Sequence, residues 1–316
     1  MTNTPLAYNQ IYNMDCLDGL RLLESDSIQM AVTSPPYWAL RSYGCAGQIG
    51  QEDTPQEYID RLCAVFAELR RVLKPDGVFF LNIGDTYCGT GNKADYYDPK
   101  YPKGRTGQKK AKNNRVPGIK PKDLCGIPWA VAFALREMGW YLRQDCIWSK
   151  PNPLPESVTD RCVKSHEYLF LFAKSQRYYF DHKAIREPAV DARKNGIHKG
   201  SAKYNRPMTE SGSVQSLNRG NRQRCQWEDG QALRNKRSVW TVATKGISDG
   251  HFAAYPPALI EPCILAGCPP GEVVLDPFMG AGTTAVVAKA LGRQYIGFEL
   301  NPEYITIAEK RIKEGK

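Results

Sequence analysis

Short apolar runs bounded by glycine, proline, asparagine or aspartate recur along the chain and predict buried β-strands. Each run is only a few residues long, which suits a strand in a covered sheet better than a helix. The predicted strands are residues 29–33, 78–83, 168–172, 272–276 and 294–299.

Helical patterns lie between these strands. Thr54, Pro55 and Glu57 form a capping box with proline at the first helical position, and apolar residues follow at helical spacing. A turn at 74–77 ends this helix. Further helices are predicted at 258–266, at 285–291 and from 301 to the carboxyl end. Strands that alternate with helices indicate an α/β fold with a mainly parallel sheet covered on both faces.

The predicted strand 272–276 leads into a glycine-rich turn and a helix. Gly280 and Gly282 let the backbone approach a ligand closely, and the helix that follows offers free N–H groups. This is the setting in which nucleotides and nucleosides bind. Asp276 at the strand tip would repel a pyrophosphate and favours a cationic ligand, such as a sulfonium or an ammonium compound. Glu299 ends the next strand and suits a ribose hydroxyl.

A second turn, Thr-Ser-Pro-Pro-Tyr-Trp at 33–38, follows the first predicted strand. The carboxyl ends of strands meet at one edge of an open α/β sheet, so this turn and the glycine-rich turn can share a crevice. The two prolines stiffen the backbone and cannot donate, which leaves carbonyls as acceptors beside the aromatic faces. Rigid acceptors next to an aromatic ring suit a planar ligand with an exocyclic amino group. Taken alone, such a hexapeptide could equally be a turn that only ends a strand.

The charge of the chain indicates what kind of partner it binds. The chain has a net charge of +10, and basic residues are concentrated in two stretches without apolar periodicity, 89–122 and 182–237. Such long basic loops suit a polyanion whose phosphates they contact. The ten cysteines include no Cys-x-x-Cys pair, and with four histidines this argues against a metal site. The absence of a long apolar span and of a signal peptide predicts a cytoplasmic protein that does not enter a membrane.

The two turns together resemble the paired signatures of S-adenosylmethionine-dependent DNA amino-methyltransferases, and their order resembles the β-class. Segments near Asn13, His166 and His251 are similar to further parts of that family. The resemblance implies a Rossmann-like, doubly wound, mostly parallel sheet with inserted basic DNA-recognition segments. It implies a catalytic part at 1–181 with a basic loop at 89–122, a target-recognition segment at 182–238 and a cofactor-binding part at 239–316.

The same resemblance implies roles for single residues. The expected catalytic residues are Ser34, Pro35, Pro36 and Tyr37. Those expected to bind S-adenosyl-L-methionine are Asp15, Phe252, Ala253, Asp276, Phe278, Gly280, Gly282, Thr283 and Glu299. Those expected to contact double-stranded DNA are Lys109, Lys110, Lys112, Arg115, Arg219, Arg222 and Arg224. The target base would be flipped out of the duplex, no metal would take part, and the enzyme would be a homodimer in a bacterial or phage-type host.

Several alternatives stay open at this point. Adenine N6 and cytosine N4 are about equally favoured, because both amino groups present two hydrogens to the same acceptors. An RNA or protein methyltransferase with the same cofactor fold, or a DNA-binding protein without catalysis, would explain part of the pattern. Carbon-5 cytosine methylation needs a cysteine nucleophile, and Cys263 lies instead in an apolar predicted helix.

Overall fold

The computed structural model describes residues 6–40, 43–89, 118–189, 226–228, 231–244 and 255–315. The chain forms two compact units, one comprising Met1–Asp181 with Arg237–Lys316 and the other His182–Lys236. The strands are β1 (Gln10–Asn13), β2 (Ile28–Thr33), β3 (Leu73–Ile83), β4 (Tyr141–Ser149), β5 (His166–Ala173), β6 (Glu187–Pro188), β7 (Gln226–Glu228), β8 (Gln231–Arg234), β9 (Val239–Thr241), β10 (Val273–Asp276) and β11 (Gln294–Glu299). The helices are α1 (Cys16–Leu22), α2 (Pro55–Val72), α3 (Ile127–Glu137), α4 (Pro257–Gly267), α5 (Thr283–Ala290) and α6 (Pro302–Glu314).

The larger unit is built on an eight-stranded sheet with the order β1-β11-β10-β2-β3-β5-β4-β9. Neighbouring strands from β1 through β3 are parallel, β5 is antiparallel to both β3 and β4, and β9 is parallel to β4. The chain leaves β10 through α5 toward β11 and leaves β2 through α2 toward β3, in the opposite direction. The carboxyl ends of β10 and β2 therefore form a topological switch point, where open α/β sheets bind ligands.

Helices cover both faces of the sheet, because successive strand residues point to opposite sides. Phe79 and Leu81 of β3 belong to the core beneath α1, α2 and α3. Val78 and Phe80 belong to the core on the other face, beneath α4, α5 and α6. The doubly wound, mostly parallel α/β fold expected from the sequence is confirmed.

The predicted elements of the larger unit are confirmed, with small shifts at their ends. Thr54 and Glu57 form the expected reciprocal capping box at the start of α2. The expected turn at 74–77 differs, because β3 already begins at Leu73. Leu73 pairs with Ile28 and Val78 pairs with Met30, so the four residues between them form an irregularity within the strand.

The smaller unit contains a three-stranded antiparallel sheet in the order β6-β8-β7. Arg234 of β8 donates from Nε to Glu187 of β6 over 3.0 Å. The residues expected to contact DNA in this part of the chain, Arg219, Arg222 and Arg224, lie outside the described residues. The same is true of Lys109, Lys110, Lys112 and Arg115 in the first basic stretch.

The described residues contain neither a disulfide nor a metal-binding cluster. The cysteines there are free thiols, and no group of three or more histidine, cysteine, aspartate or glutamate side chains is arranged to hold a metal ion. Among the helices of these same residues, none has the length and apolar character needed to cross a membrane.

Candidate active site

The two turns singled out by the sequence meet at the switch point of the sheet. Thr33 ends β2 and Asp276 ends β10, and these strands are hydrogen-bonded neighbours. The hydroxyl of Thr33 donates directly to Oδ1 of Asp276. The rest of that second turn, residues 34–38, follows Thr33 directly and is called the proline turn below. The contact between Thr33 and Asp276 therefore holds the proline turn against the glycine-rich turn.

Asp276 is only 1% exposed and is surrounded by donors. Oδ1 also accepts from the backbone N–H of Phe278 at 3.0 Å, and Oδ2 accepts from Tyr255 at 2.9 Å and from Thr284 at 2.5 Å. Burial raises the pKa of Asp276, while its donors oppose that rise. Because both carboxylate oxygens are buried and accept from protein donors, Asp276 holds the turn. The contact of Asp276 with the cofactor stays a prediction.

A cavity opens beside this buried carboxylate. The space open to the centres of water-sized molecules measures about 110 Å³. Ser34 and Pro36 of the proline turn contribute to its wall. The expected cofactor residues in the same wall are Asp15, Phe278, Gly280, Thr283 and Glu299. The structure thus brings the catalytic turn and most of the expected cofactor residues together in one site.

The glycine-rich turn is held by backbone hydrogen bonds to Glu299. Gly280 donates to Oε2 and Asn301 donates to Oε1, each over 2.8 Å. Gly282 has φ of +77°, and a Cβ added there would come within 2.6 Å of the Cβ of Ala308. Glycine is therefore required at this position both by the left-handed backbone and by the packing of α5 against α6.

The charge of the cavity wall is negative. Oδ1 of Asp15 caps α1 by accepting from Leu17 at 2.8 Å, which leaves Oδ2 outside the cap. Glu299 is largely buried, and this burial raises its pKa. The described lining residues include these two carboxylates and no lysine or arginine. Such a wall disfavours a pyrophosphate and fits a ligand that carries a positive sulfonium and ribose hydroxyls.

The proline turn is rigid for reasons beyond its prolines. The phenol of Tyr58 donates to the carbonyl of Pro36 over 2.9 Å, which fixes the backbone after Pro35. The ring of Tyr37 packs against Gly84, where an added Cβ would lie 2.6 Å from a ring carbon. The position of the aromatic ring expected to stack on the substrate is thus determined by a residue with no side chain.

Tyr37 is also held through its hydroxyl. It donates to Oε2 of Glu167 over 2.6 Å, and the hydroxyl of Ser34 lies 3.4 Å away. Burial, followed by the charge of Glu167, raises the pKa of Tyr37 well above its ordinary value. Lys150 donates to the other oxygen of Glu167.

Sequence reasoning missed some residues of the site. Tyr43 and Tyr304 line the cavity and contact each other edge to face, with ring centroids 6.1 Å apart. Tyr304 lies in the first turn of α6, whose start was predicted. Because α6 begins just after the carboxyl end of β11, the sequence did hold a signal that this turn faces the cavity. No pattern marked Glu167 and Lys150 as partners, because β5 and β4 are joined only by sheet pairing. Phe252 and Ala253 lie outside the described residues.

Comparison with known proteins agrees with this geometry. A family model described as DNA methylase matches residues 28–310. The chain is 45% identical over 303 residues to the type II methyltransferase M.XycI of Xanthomonas campestris pv. cyanopsidis, covering 96% of this chain and 87% of that protein. It is 42% identical to the type II methyltransferase M.Cfr9I of Citrobacter freundii, covering 98% and 90%.

Solved structures share the fold. The PvuII DNA methyltransferase, named as cytosine-N4-specific, matches with a TM-score of 0.63 at 18% identity, over 99% of this chain and 95% of that one. A protein of Thermus thermophilus, described as a putative DNA modification methylase and solved with S-adenosyl-L-methionine, matches with a TM-score of 0.58 at 22% identity. That match covers 97% of this chain and 93% of the other.

The contact between Gly84 and Tyr37 predicts a defect in catalysis. A Gly84→Ala variant should displace the ring of Tyr37 and lower kcat by about ten-fold or more, because a small misplacement of a reacting group is costly. Cofactor affinity, measured by calorimetry, should stay within about two-fold, since Gly84 is not in the cavity wall. Gly292→Asn is the control, because asparagine tolerates the left-handed backbone and open space surrounds that position. Normal turnover in Gly84→Ala would show that the ring is not held there.

The hydrogen bonds of Asp276 predict a defect in stability. In Asp276→Asn one oxygen becomes an amide that cannot accept, so buried donors lose their partner. The free energy of unfolding should fall by about 2–4 kcal/mol, as measured by denaturant titration. Cofactor affinity should weaken at the same time, because both turns depend on this carboxylate. The control is Asp18→Asn on the exposed face of α1, which should change stability by less than about 0.5 kcal/mol. Equal stability of the two variants would contradict the role given to Asp276.

Proposed function

The chain belongs to the DNA methylase family of amino-methyltransferases, and we propose how its own residues carry out the reaction. The enzyme transfers a methyl group from S-adenosyl-L-methionine to the exocyclic amino group of a base in DNA. The observation that carries the residue assignment is the position of Ser34. It belongs to the proline turn and also lines the cofactor cavity, so an amino group at Ser34 lies beside that cavity.

The cofactor supplies an electrophilic methyl group on a sulfonium when it is bound. In our proposal, Glu299 accepts hydrogen bonds from the ribose hydroxyls, since each of its oxygens accepts one backbone N–H and retains a second lone pair. Asp15 approaches the adenine end. Asp276 and the turn from Gly280 to Gly282 hold the methionine end, and Phe278 packs beside it. Phe252 and Ala253 are proposed to pack near the cofactor as well.

The target amino group is proposed to bind at the proline turn. Ser34 Oγ and the carbonyl of Pro35 accept its two hydrogens and draw the nitrogen lone pair out of conjugation, while Tyr37 stacks on the flipped base. The carbonyl of Pro36 already accepts a hydrogen bond from Tyr58, so its role is to hold the conformation of the turn. The turn contributes to the rate by positioning and by electrostatic stabilisation, without a covalent intermediate.

The remaining assignments concern partners. We propose that residues 182–238 recognise the target sequence and that the basic loop 89–122 contacts DNA phosphates. A homodimer in the cytoplasm of a bacterial or phage-type host completes the proposal. These assignments are supported by the charge of the two stretches and by the resemblance to the β-class.

The test of the function is methyl transfer from labelled S-adenosyl-L-methionine to duplex DNA, followed by nucleoside mass spectrometry. The expected product is N6-methyladenine or N4-methylcytosine, and its identity decides the target base. Tyr37→Ala should bind the cofactor normally but lose at least about 100-fold in kcat/KM, since base stacking contributes about 1–3 kcal/mol and the partners of the hydroxyl are lost as well. Asp18→Asn is the control for a change outside the site.

Two outcomes would contradict the proposal. Unchanged turnover in Tyr37→Ala would remove the assignment of the proline turn. No methylated nucleoside from varied DNA, with cofactor binding intact, would indicate an RNA or protein substrate instead.

The basic loop predicts a change in salt dependence. Replacing Lys109, Lys110, Lys112 and Arg115 with glutamine should weaken DNA binding and flatten the slope of log K against log salt, by about 0.9 for each phosphate contact removed. Fluorescence anisotropy at several salt concentrations measures this slope. Cofactor affinity should not change. A slope equal to that of the unmodified enzyme would show that this loop makes no phosphate contact.

A further inference from the structure

Four polar side chains, hydrogen-bonded in series, link the end of β4 to the proline turn, and we call this series the hydrogen-bond chain. The ammonium of Lys150, directly after β4, donates to Oε1 of Glu167 on β5. Oε2 of Glu167 accepts from the phenol of Tyr37 over 2.6 Å. The hydroxyl of Ser34 donates to the phenol oxygen of Tyr37 over 3.4 Å. The hydrogen-bond chain therefore begins at the positive charge of Lys150 and ends at Ser34, the residue proposed to contact the substrate.

The two charged members are held away from solvent. The side chains of Glu167 and Lys150 are 14% and 17% exposed, and the ammonium lies 4.2 Å from the centre of the Trp148 ring. Asn82 is 1% exposed and donates from Nδ2 to Glu167 over 3.2 Å and to the carbonyl of Tyr168 over 3.0 Å. A buried carboxylate with these donors keeps one position and one orientation.

The chemistry of each group determines the direction of the chain. A lysine ammonium only donates and an ionised carboxylate only accepts, so the single proton of Tyr37 points to Glu167. The contact from Tyr37 to Oδ1 of Asn82 is longer, at 3.3 Å, and the charged acceptor holds the proton more strongly. The phenol oxygen then offers only lone pairs to Ser34, which donates to it. The raised pKa of Tyr37 keeps the phenol protonated and the direction intact.

We propose that Glu167 and Lys150 are positioning residues that set the hydroxyl of Ser34 as an acceptor toward the target amino group. This inference rests on the proposed function of Ser34. A serine hydroxyl without such a partner can turn its proton toward the amino nitrogen, where it would occupy the lone pair that must attack the methyl group. With its proton given to Tyr37, Ser34 presents lone pairs to the amino hydrogens.

The substitution Glu167→Gln should remove the fixed direction of these hydrogen bonds. Lys150 only donates, so it holds the amide oxygen and leaves the amide NH₂ facing Tyr37. The phenol oxygen accepts from this NH₂, and the phenol proton then has two neutral acceptors, Oδ1 of Asn82 at 3.3 Å and Oγ of Ser34 at 3.4 Å. Wherever it goes to Ser34, Ser34 accepts from Tyr37 and turns its own proton toward the substrate. Tyr37→Phe breaks the link but keeps the aromatic ring, so Ser34 can adopt either direction.

These substitutions predict losses that are not additive. Glu167→Gln and Tyr37→Phe should each lower kcat by about ten-fold, because each removes the fixed direction of the Ser34 hydroxyl. The double variant should have the rate of Tyr37→Phe, because without the phenol the group at position 167 no longer acts on Ser34. The KM for DNA and the Kd of the cofactor should stay within about two-fold in all three variants. Glu272→Gln, which removes the Lys74–Glu272 ion pair before β10, is the control and should keep full activity.

Additive losses in the double variant, or full activity of Glu167→Gln, would overturn the inference, since a merely structural carboxylate adds its own loss to that of Tyr37→Phe. Thermal unfolding and cofactor calorimetry establish that each variant is folded. Should Glu167→Gln fail to fold, Tyr37→Phe decides alone, and an unchanged kcat in that variant overturns the inference. A fully active Tyr37→Ala would refute the proposed role of the whole proline turn. An inactive Tyr37→Ala together with a fully active Glu167→Gln would refute only the positioning role of Glu167 and Lys150.

Discussion

The buried carboxylate of Asp276 is the interaction on which the site depends. It accepts hydrogen bonds from the end of β2, from its own turn, from the first turn of α5 and from Tyr255 before α4. A carboxylate without partners would be very unfavourable at this depth, so the four donors and the carboxylate stabilise one another. Because Thr33 is one of these donors, the catalytic turn and the cofactor turn share a single anchor. The distance between the catalytic turn and the cofactor turn is therefore fixed by this buried, hydrogen-bonded carboxylate.

The carboxylates of the site divide their roles according to burial. Asp276 is enclosed and organises the backbone, whereas Asp15 and Glu299 reach the cavity wall and make it negative. Glu167 is nearly enclosed and is matched by the charge of Lys150. A negative wall suits a cofactor that carries a positive sulfonium, and an ion pair with a fixed direction suits the orientation of a neutral hydroxyl. Carboxylates thus have three roles in one site. Asp276 supports the backbone, Asp15 and Glu299 give the cavity wall its negative charge, and Glu167 orients hydroxyl groups.

Most of the fold was predictable because its signals are local. The capping box at Thr54, the proline start of α6 and the apolar runs of β2, β10 and β11 each depend on neighbours in the sequence. The two turns were predictable for the same reason, since glycine and proline restrict the backbone wherever they occur. The irregularity after Leu73 was not predictable, because it reflects how β3 pairs with β2 and not the preferences of residues 74–77. Similarly, the burial of Asp276 was not predictable, because its place in a motif says nothing about how deeply the side chain lies.

The sequence by itself determined the class of the protein, the position of the two turns and the residues that can accept hydrogens from an amino group. It did so because periodicity, capping and turn chemistry act over a few residues. Only the tertiary structure decided that Asp276 faces inward, that Gly84 supports Tyr37 and that Glu167 meets Lys150. These relations join residues far apart in the chain, and they arise from strand order and from side-chain packing. Hydrogen-bond direction in the active site follows from those distant contacts, since a hydroxyl takes its orientation from whichever neighbours the fold places beside it.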